Sequence, residues 1–238
     1  MLLLFLLGSC SHYKDIPYFQ NAAEYNGTGK AFLYDMTIKP KDMLTIFVYS
    51  SQPEAVVQFN FTEPRTINEE QQLDVTGVRI GRGGGQIHHY LVDNDGEIEF
   101  PIVGRIKLGG MTIEQANAAV SNKISPYIKE GADYTVNVKI DNYEVSVLGE
   151  VQRPNTFTVT RNKITVLEAL ALAGDLTIYG KRDNVKVLRE RPDGEYEIHE
   201  LDLRDIHILD SPYYYLQQRD IVYVEPNEVM AQNASIGR

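Results

Sequence analysis

Tryptophan is absent from the 238 residues, and cysteine occurs once, at position 10. A single cysteine excludes an intramolecular disulfide and any cysteine-rich metal site. Positive charge is scarce: 23 Lys and Arg stand against 33 Asp and Glu, a formal net of -10. No basic run is present to track a phosphate backbone, so no nucleic-acid partner is expected. Apolar runs are short, and none reaches the ~20 residues that a membrane-crossing helix requires. Catalytic signatures are missing as well: there is no nucleophile elbow and no phosphate loop ending in Gly-Lys-Ser/Thr. The expectation is therefore no catalytic residue, no cofactor and no metal. What is abundant is tyrosine, with 15 copies, together with 8 phenylalanines and many β-branched residues. That bias favours strands.

The first seven residues, Met-Leu-Leu-Leu-Phe-Leu-Leu, run into Gly8-Ser9-Cys10-Ser11. An apolar stretch that ends in small residues has the form of a secretory signal, although no Lys or Arg precedes it here. Leu7-Gly8-Ser9-Cys10 resembles a bacterial lipobox. On that resemblance residues 1–9 are a signal peptide and Cys10 is the lipidation site, with Ser11 pointing to the outer membrane. Residues 10–32 are polar and rich in turn formers, and they read as a flexible lipidated tether.

Beyond the tether the signals are those of small α+β modules. Met43–Tyr49 is strand-like. Residues 50–85, with Pro53, Pro64 and Gly83-Gly84-Gly85, read as a long hairpin excursion or loop. Residues 90–93 and 97–100 flank Asp95-Gly96, which predicts a hairpin. Thr112 and Gln115 have capping-box spacing before Ile113, Ala116, Val120, Ile124 and Tyr127, a helical stripe that stops near Pro126 or Gly131. Residues 134–140 alternate as a half-buried strand. A similar order follows, with strands at 145–151 and 157–159, then a helix capped by Thr165 and Glu168 that ends at Gly174. Strands at 185–188 and 196–198 flank Pro192-Asp193-Gly194, and a last strand covers 220–224. The predicted fold class is α+β: two small β-grasp-like domains in series, with mixed sheets and one packed helix in each.

Several motifs invite sharper readings. With Gly96 placed as the glycine of a calcium loop, Leu91 and Ile102 fall at the first and last ligand positions, and neither can bind calcium. Asp93, Asp95, Glu97 and Glu99 read as a solvated face in preference to an acid/base pair. Gly81–Gly85 reads as a loop. His88 and His89 point to opposite strand faces and cannot chelate together. Tyr213-Tyr214-Tyr215 reads as strand core and interface.

Taken in order, these residues resemble the outer-membrane polysaccharide export family. The first domain is matched by Ile38–Ile46, where the family commonly has Gly at the position of Lys41, and by Val92–Ile98 with Phe100–Gly104. The second resembles a SLBB (soluble-ligand-binding β-grasp) module through Val147–Pro154, Thr165–Leu170 and Ala173-Gly174. Asn155 and Asp175 stand where glycines are usual, and Asn tolerates left-handed backbone at such a turn. The resemblance implies a polysaccharide export N-terminal domain over 33–141, a SLBB domain over 142–228 and a short tail, 229–238. It further implies a homo-oligomeric ring on the periplasmic side of the outer membrane, a capsule or exopolysaccharide chain as cargo, and an inner-membrane polysaccharide co-polymerase or export protein as partner. The tail is too short and polar to line a bilayer, so either the chain continues or another protein completes the pore. The alternative is a periplasmic glycan-binding module with no conduit role.

Overall fold

A computed structural model describes residues 16–25, 35–63, 86–191, 194–230 and 232. They form two compact units, residues 35–142 and residues 143 onward, and the N-terminal segment belongs to the second. Both units are α+β.

The first unit contains β1 (Met43–Tyr49), β2 (Thr62–Glu63), β3 (Gln86–Ile87), β4 (His89–Leu91), β5 (Glu97–Phe100), β6 (Gly104–Lys107), α1 (Ile113–Ile124) and β7 (Thr135–Ile140). Strand β1 is central, antiparallel to β4 on one side and β7 on the other. Alternation does the sorting. Leu44, Ile46 and Val48 are buried, and so are their register partners Ile140, Val138 and Val136. Helix α1 opens with a reciprocal capping box between Thr112 and Gln115, a cap worth about 1 kcal/mol. Its buried residues Ala116, Val120 and Ile124 form a stripe at helical spacing. Asn117 Oδ1 accepts the Val138 N–H at 2.7 Å and ties the helix to β7. Tyr127, expected to extend that stripe, lies beyond the helix in a 3-10 turn and is exposed.

Two expectations for this unit need correction. The turn at Asp93–Gly96 is present, with Gly96 at φ 75° and its N–H donating to Asp93 O at 3.0 Å. The flanking strands do not pair with each other as a ladder: β4 pairs with β1, and β5 pairs with β6. Asp-Gly specifies a reversal of direction but not which strand receives each arm. Residues 50–63, read as part of a loop, also supply core. Phe59, in a 3-10 turn at Val57–Phe59, is fully buried and stacks on Phe100 with ring centroids 6.4 Å apart. Strands β2 and β3 then pair antiparallel, as the base of a hairpin excursion would. Gly83-Gly84-Gly85 lies outside the described residues.

Lys41 has φ 72°, a left-handed conformation that a lysine side chain disfavours. Its backbone is fully used, with N–H to Val92 O at 2.8 Å and C=O accepting from Asn142 Nδ2 at 3.2 Å. Lys41→Gly keeps both bonds and removes the Cβ conflict. It is expected to stabilise the unit by about 0.5–1 kcal/mol, read as a melting temperature a few degrees higher.

The second unit contains β8 (Glu144–Gly149), β9 (Asn155–Thr158), β10 (Ile164–Thr165), α2 (Val166–Leu172), β11 (Gly180–Glu190), β12 (Tyr196–Leu201), β13 (Tyr215–Leu216) and β14 (Ile221–Pro226). Its main sheet has the order β12-β11-β14-β8-β9, antiparallel except for the parallel β14–β8 pair. This is β-grasp connectivity: two hairpins separated by a helix, with the last strand inserted between them beside the first. The parallel step that mixes the sheet lies here, whereas the ladders of the first unit are antiparallel. Val145, Val147, Val185, Val187, Val222 and Val224 are all buried on the side covered by α2, whose own buried residues are Val166, Ala169 and Leu170. Burying a valine fully is worth about 1.5–3 kcal/mol. Thr165 and Glu168 form the second capping box. Asn155 begins strand β9 without a positive φ, so the left-handed turn expected there is absent; Asp175 does adopt one, at φ 71°.

The segment 16–25 departs from its expected role as flexible tether. Phe19 and Gln20 donate their N–H groups to Leu203 O (3.2 Å) and Arg204 O (2.6 Å). Asn21 reaches Asp205 Oδ1 at 2.9 Å and receives the Ile206 N–H at 2.8 Å. Tyr18 donates to Asp175 at 2.5 Å and lies over the buried Arg182 guanidinium, 5.9 Å from ring centroid to Cζ. Its composition reads as flexible because every one of these partners is more than 150 residues away in sequence.

Candidate functional site

The acidic group of the first unit sits around the Asp93–Gly96 turn. Asp93 Oδ1 accepts the N–H groups of Asp95 (2.9 Å) and Glu97 (2.8 Å). The Arg105 guanidinium pairs with the other Asp93 oxygen and, through Nε, with Glu97 at 2.8 Å. The Glu97 N–H, the largest influence, outweighs the opposing effect of burial and with help from Arg105 holds the Asp93 carboxyl below its usual range. A general acid needs the opposite shift. The cluster fastens a turn.

His88 and His89 diverge as expected. His89 Nδ1 meets Asp141 Oδ2 at 3.0 Å, while His88 packs edge-on to Tyr90 at 4.7 Å. Burial pushes the Tyr90 hydroxyl up to about 12. Among the described residues no three His, Cys, Asp or Glu side chains are grouped as a metal would require. None of the described helices is long and apolar enough to cross a membrane. Cys10 and Gly81–Gly85 lie outside the described residues.

The tyrosine run is half-buried in the second unit and held from below. Tyr213 stacks on His199, with ring centroids 3.3 Å apart, and covers the Arg189 guanidinium at 5.0 Å. Tyr214 O accepts the Val166 N–H at 2.9 Å, and Tyr215 pairs with Thr165 in the β10–β13 ladder. Beneath them Arg189 and Asp220, only 8% and 1% exposed, form a buried pair. Arg189 Nε lies 3.1 Å from both Asp220 oxygens, and Nη2 reaches Oδ2 at 2.6 Å and Tyr215 O at 3.0 Å. This pair was not anticipated from the sequence. Its signal was an arginine continuing the inward period-two series Val185, Val187, Arg189, a position that demands a counter-charge.

On the face of the main sheet opposite α2, register aligns Ile198, Leu188 and Ile221 in one row and sets Tyr223 beside Leu148. Tyr196, Ile198 and Leu148 are 63%, 58% and 44% exposed. Such a band suits contact with another surface better than it suits catalysis.

Comparison with known proteins bears on both units. The profile of the family described as "Polysaccharide biosynthesis/export protein" matches residues 31–141. That described as "SLBB domain" matches residues 143–224. The two matches follow one another along the chain, an export domain and then a SLBB domain. It is 30% identical over 152 residues to the "EPS I polysaccharide export outer membrane protein EpsA" of Ralstonia nicotianae, a match covering 62% of this chain and 37% of that protein. The protein of the same name from Ralstonia solanacearum is 28% identical over 150 residues, covering 61% and 38%. The chain therefore spans well under half the length of these relatives. Lys41, where the export family commonly has glycine, is the residue found left-handed at φ 72°.

Asp205, which holds the N-terminal segment, is drawn from its ordinary 3.8 to about 2, first by the His207 N–H and then by Asn21. Its folded value is depressed, so what it contributes to docking is full above pH ~4 and is lost as pH falls toward 2. A carbon-detected titration of Asp205 is expected to inflect near 2. Asn21→Ala should move that inflection upward.

Proposed function

We propose that the chain is a lipid-anchored component of a polysaccharide export machine, held by Cys10 at the periplasmic face of the outer membrane. Copies assemble side by side as a homo-oligomeric ring, and the polysaccharide passes through its centre toward the cell surface. The protein acts by geometry and not as an enzyme, and it works with an inner-membrane polysaccharide co-polymerase or export protein. The observation that carries this reading is the order of domains: an export domain followed by a β-grasp SLBB domain, in a chain similar to proteins named for polysaccharide export. The exposed apolar band of the second unit supports self-association, since it offers a surface that another copy can cover.

Gene deletion tests the export role. Loss of surface polysaccharide, restored by the wild-type chain but not by Cys10→Ala, is the expected result. Normal surface polysaccharide in the deleted strain would sink the export reading and favour a glycan-binding module instead. Mass measurement of the detergent-solubilised protein tests the ring: a monomer at every concentration would contradict it.

A further inference from the structure

Strand β12 is an edge of the five-stranded sheet: among the described residues it pairs with β11 alone. The Arg191 N–H donates to Glu195 O at 2.8 Å at the head of this hairpin, and that bond sets the phase of the ladder. Counting on in steps of two, Glu197, His199 and Leu201 exchange hydrogen bonds with β11. Tyr196, Ile198 and Glu200 therefore turn their N–H and C=O groups to the open side, and their side chains are exposed. The strand holds no proline and no bulge that would blunt the edge. An apolar row also stops there. Ile221, Leu188 and Ile198 align across β14, β11 and β12, and Ile198 at the end of the row is 58% exposed.

We infer that the open edge of β12 is a two-fold contact with a second copy of this chain, antiparallel and centred on Ile198. The order of residues along the strand selects that occupant. About this centre Ile198 lies opposite Ile198 of the second copy, Glu197 opposite His199, and Tyr196 opposite Glu200. The outward-facing residues then exchange two main-chain hydrogen bonds per pair. The apolar row runs unbroken from Ile221 of one copy to Ile221 of the other. Slipping the register by two residues one way sets Glu197 against Glu197. The other way sets His199 against His199 and Ile198 against Glu200. Like charges directly opposite each other destabilise a sheet, so the register centred on Ile198 is preferred. A two-fold contact closes on two copies, whereas a ring requires a heterologous one. The pairing is additional to the ring proposed above and stands or falls apart from it.

The test uses the full chain carrying Cys10→Ser, which leaves no native cysteine. Opposed residues in a hydrogen-bonded antiparallel pair have Cα atoms about 5.5 Å apart, within reach of a disulfide. Ile198→Cys in that background should give mainly covalent dimer under mild oxidation, with the link mapped to 198 on both chains by peptide mass. Tyr196→Cys is as exposed but lies opposite position 200, and should give at least about fivefold less. Ile198→Lys sets two lysines against each other on the axis. It should weaken self-association in sedimentation by roughly tenfold or more. The side chain it replaces is exposed, so slow amide exchange in β14 should persist and report an intact domain. Absence of the 198–198 link, equal linking at 196 and 198, or self-association unmoved by Ile198→Lys overturns the pairing. Slow exchange of the Ile198 amide without that link means that a different strand covers the edge, and overturns it as well. None of these outcomes touches the ring, which the mass of the detergent-solubilised protein decides.

Discussion

Arg189→Met is expected to destabilise the second domain by about 3–5 kcal/mol, the largest loss for any single side chain described above. The buried guanidinium is a counter-charge of Asp220, whose Oδ2 also receives the Gln217 N–H at 2.7 Å. Removing Arg189 takes a charged partner from a carboxylate at 1% exposure and one hydrogen bond from the Tyr215 carbonyl at the start of β13. Tyr213 loses the cation beneath its ring. Urea denaturation followed by tyrosine emission, with amide exchange to localise the transition, gives the size of the loss. Arg189→Met combined with Asp220→Leu should cost clearly less than the two single changes added together, because no unpaired charge then remains. An additive result would show that the pair does not act as a unit.

Gly149→Ala is the second large effect. Gly149 has φ 90°, and a Cβ there would be driven into the Val224 carbonyl oxygen and sit 2.9 Å from the carbonyl carbon. The same carbonyl accepts the Glu150 N–H at 3.0 Å, and Val224 is the register partner of Gly149 in the parallel β14–β8 ladder. The backbone conflict costs about 1–2 kcal/mol, and the forced separation adds about 1–3 kcal/mol. Gly194→Ala separates these contributions. It has a similar φ, 84°, but a Cβ there meets nothing within 4 Å, so only the first cost applies. Equal losses at the two positions would refute the steric argument for Gly149.

Local chemistry was the legible part of this sequence. Thr112 with Gln115 and Thr165 with Glu168 mark two helix starts, and both capping boxes form. The alternation of 134–140 likewise yields a strand with every second residue buried. The illegible part is partner choice. Asp95-Gly96 announces a turn, yet Leu91 and Glu97 on either side of it enter different ladders. Tyr18 and Asn21 look like tether because hydrogen bonds to distant carboxylates leave no periodic trace. Asn155 and Asp175 stood at two suspected glycine positions, and only Asp175 proves left-handed, because backbone φ depends on which loops must close. The candidate functional surface was partly foreseen. Tyr213–Tyr215 were assigned to core and interface, but the ion pair that seats them joins residues 31 apart, and only its Arg189 half had a local signature.

Strand β14 is the last strand of the second unit and lies in the middle of its sheet. Until residues 221–226 exist, the hairpin of β8 and β9 and that of β11 and β12 have no ladder in common, so neither can complete the domain. The second unit of a nascent chain therefore stays open until its last strand is made, and closes only when that keystone arrives. Stopping synthesis just short of Ile221 should leave a product that proteases digest from residue 143 onward, whereas stopping just after Pro226 should not.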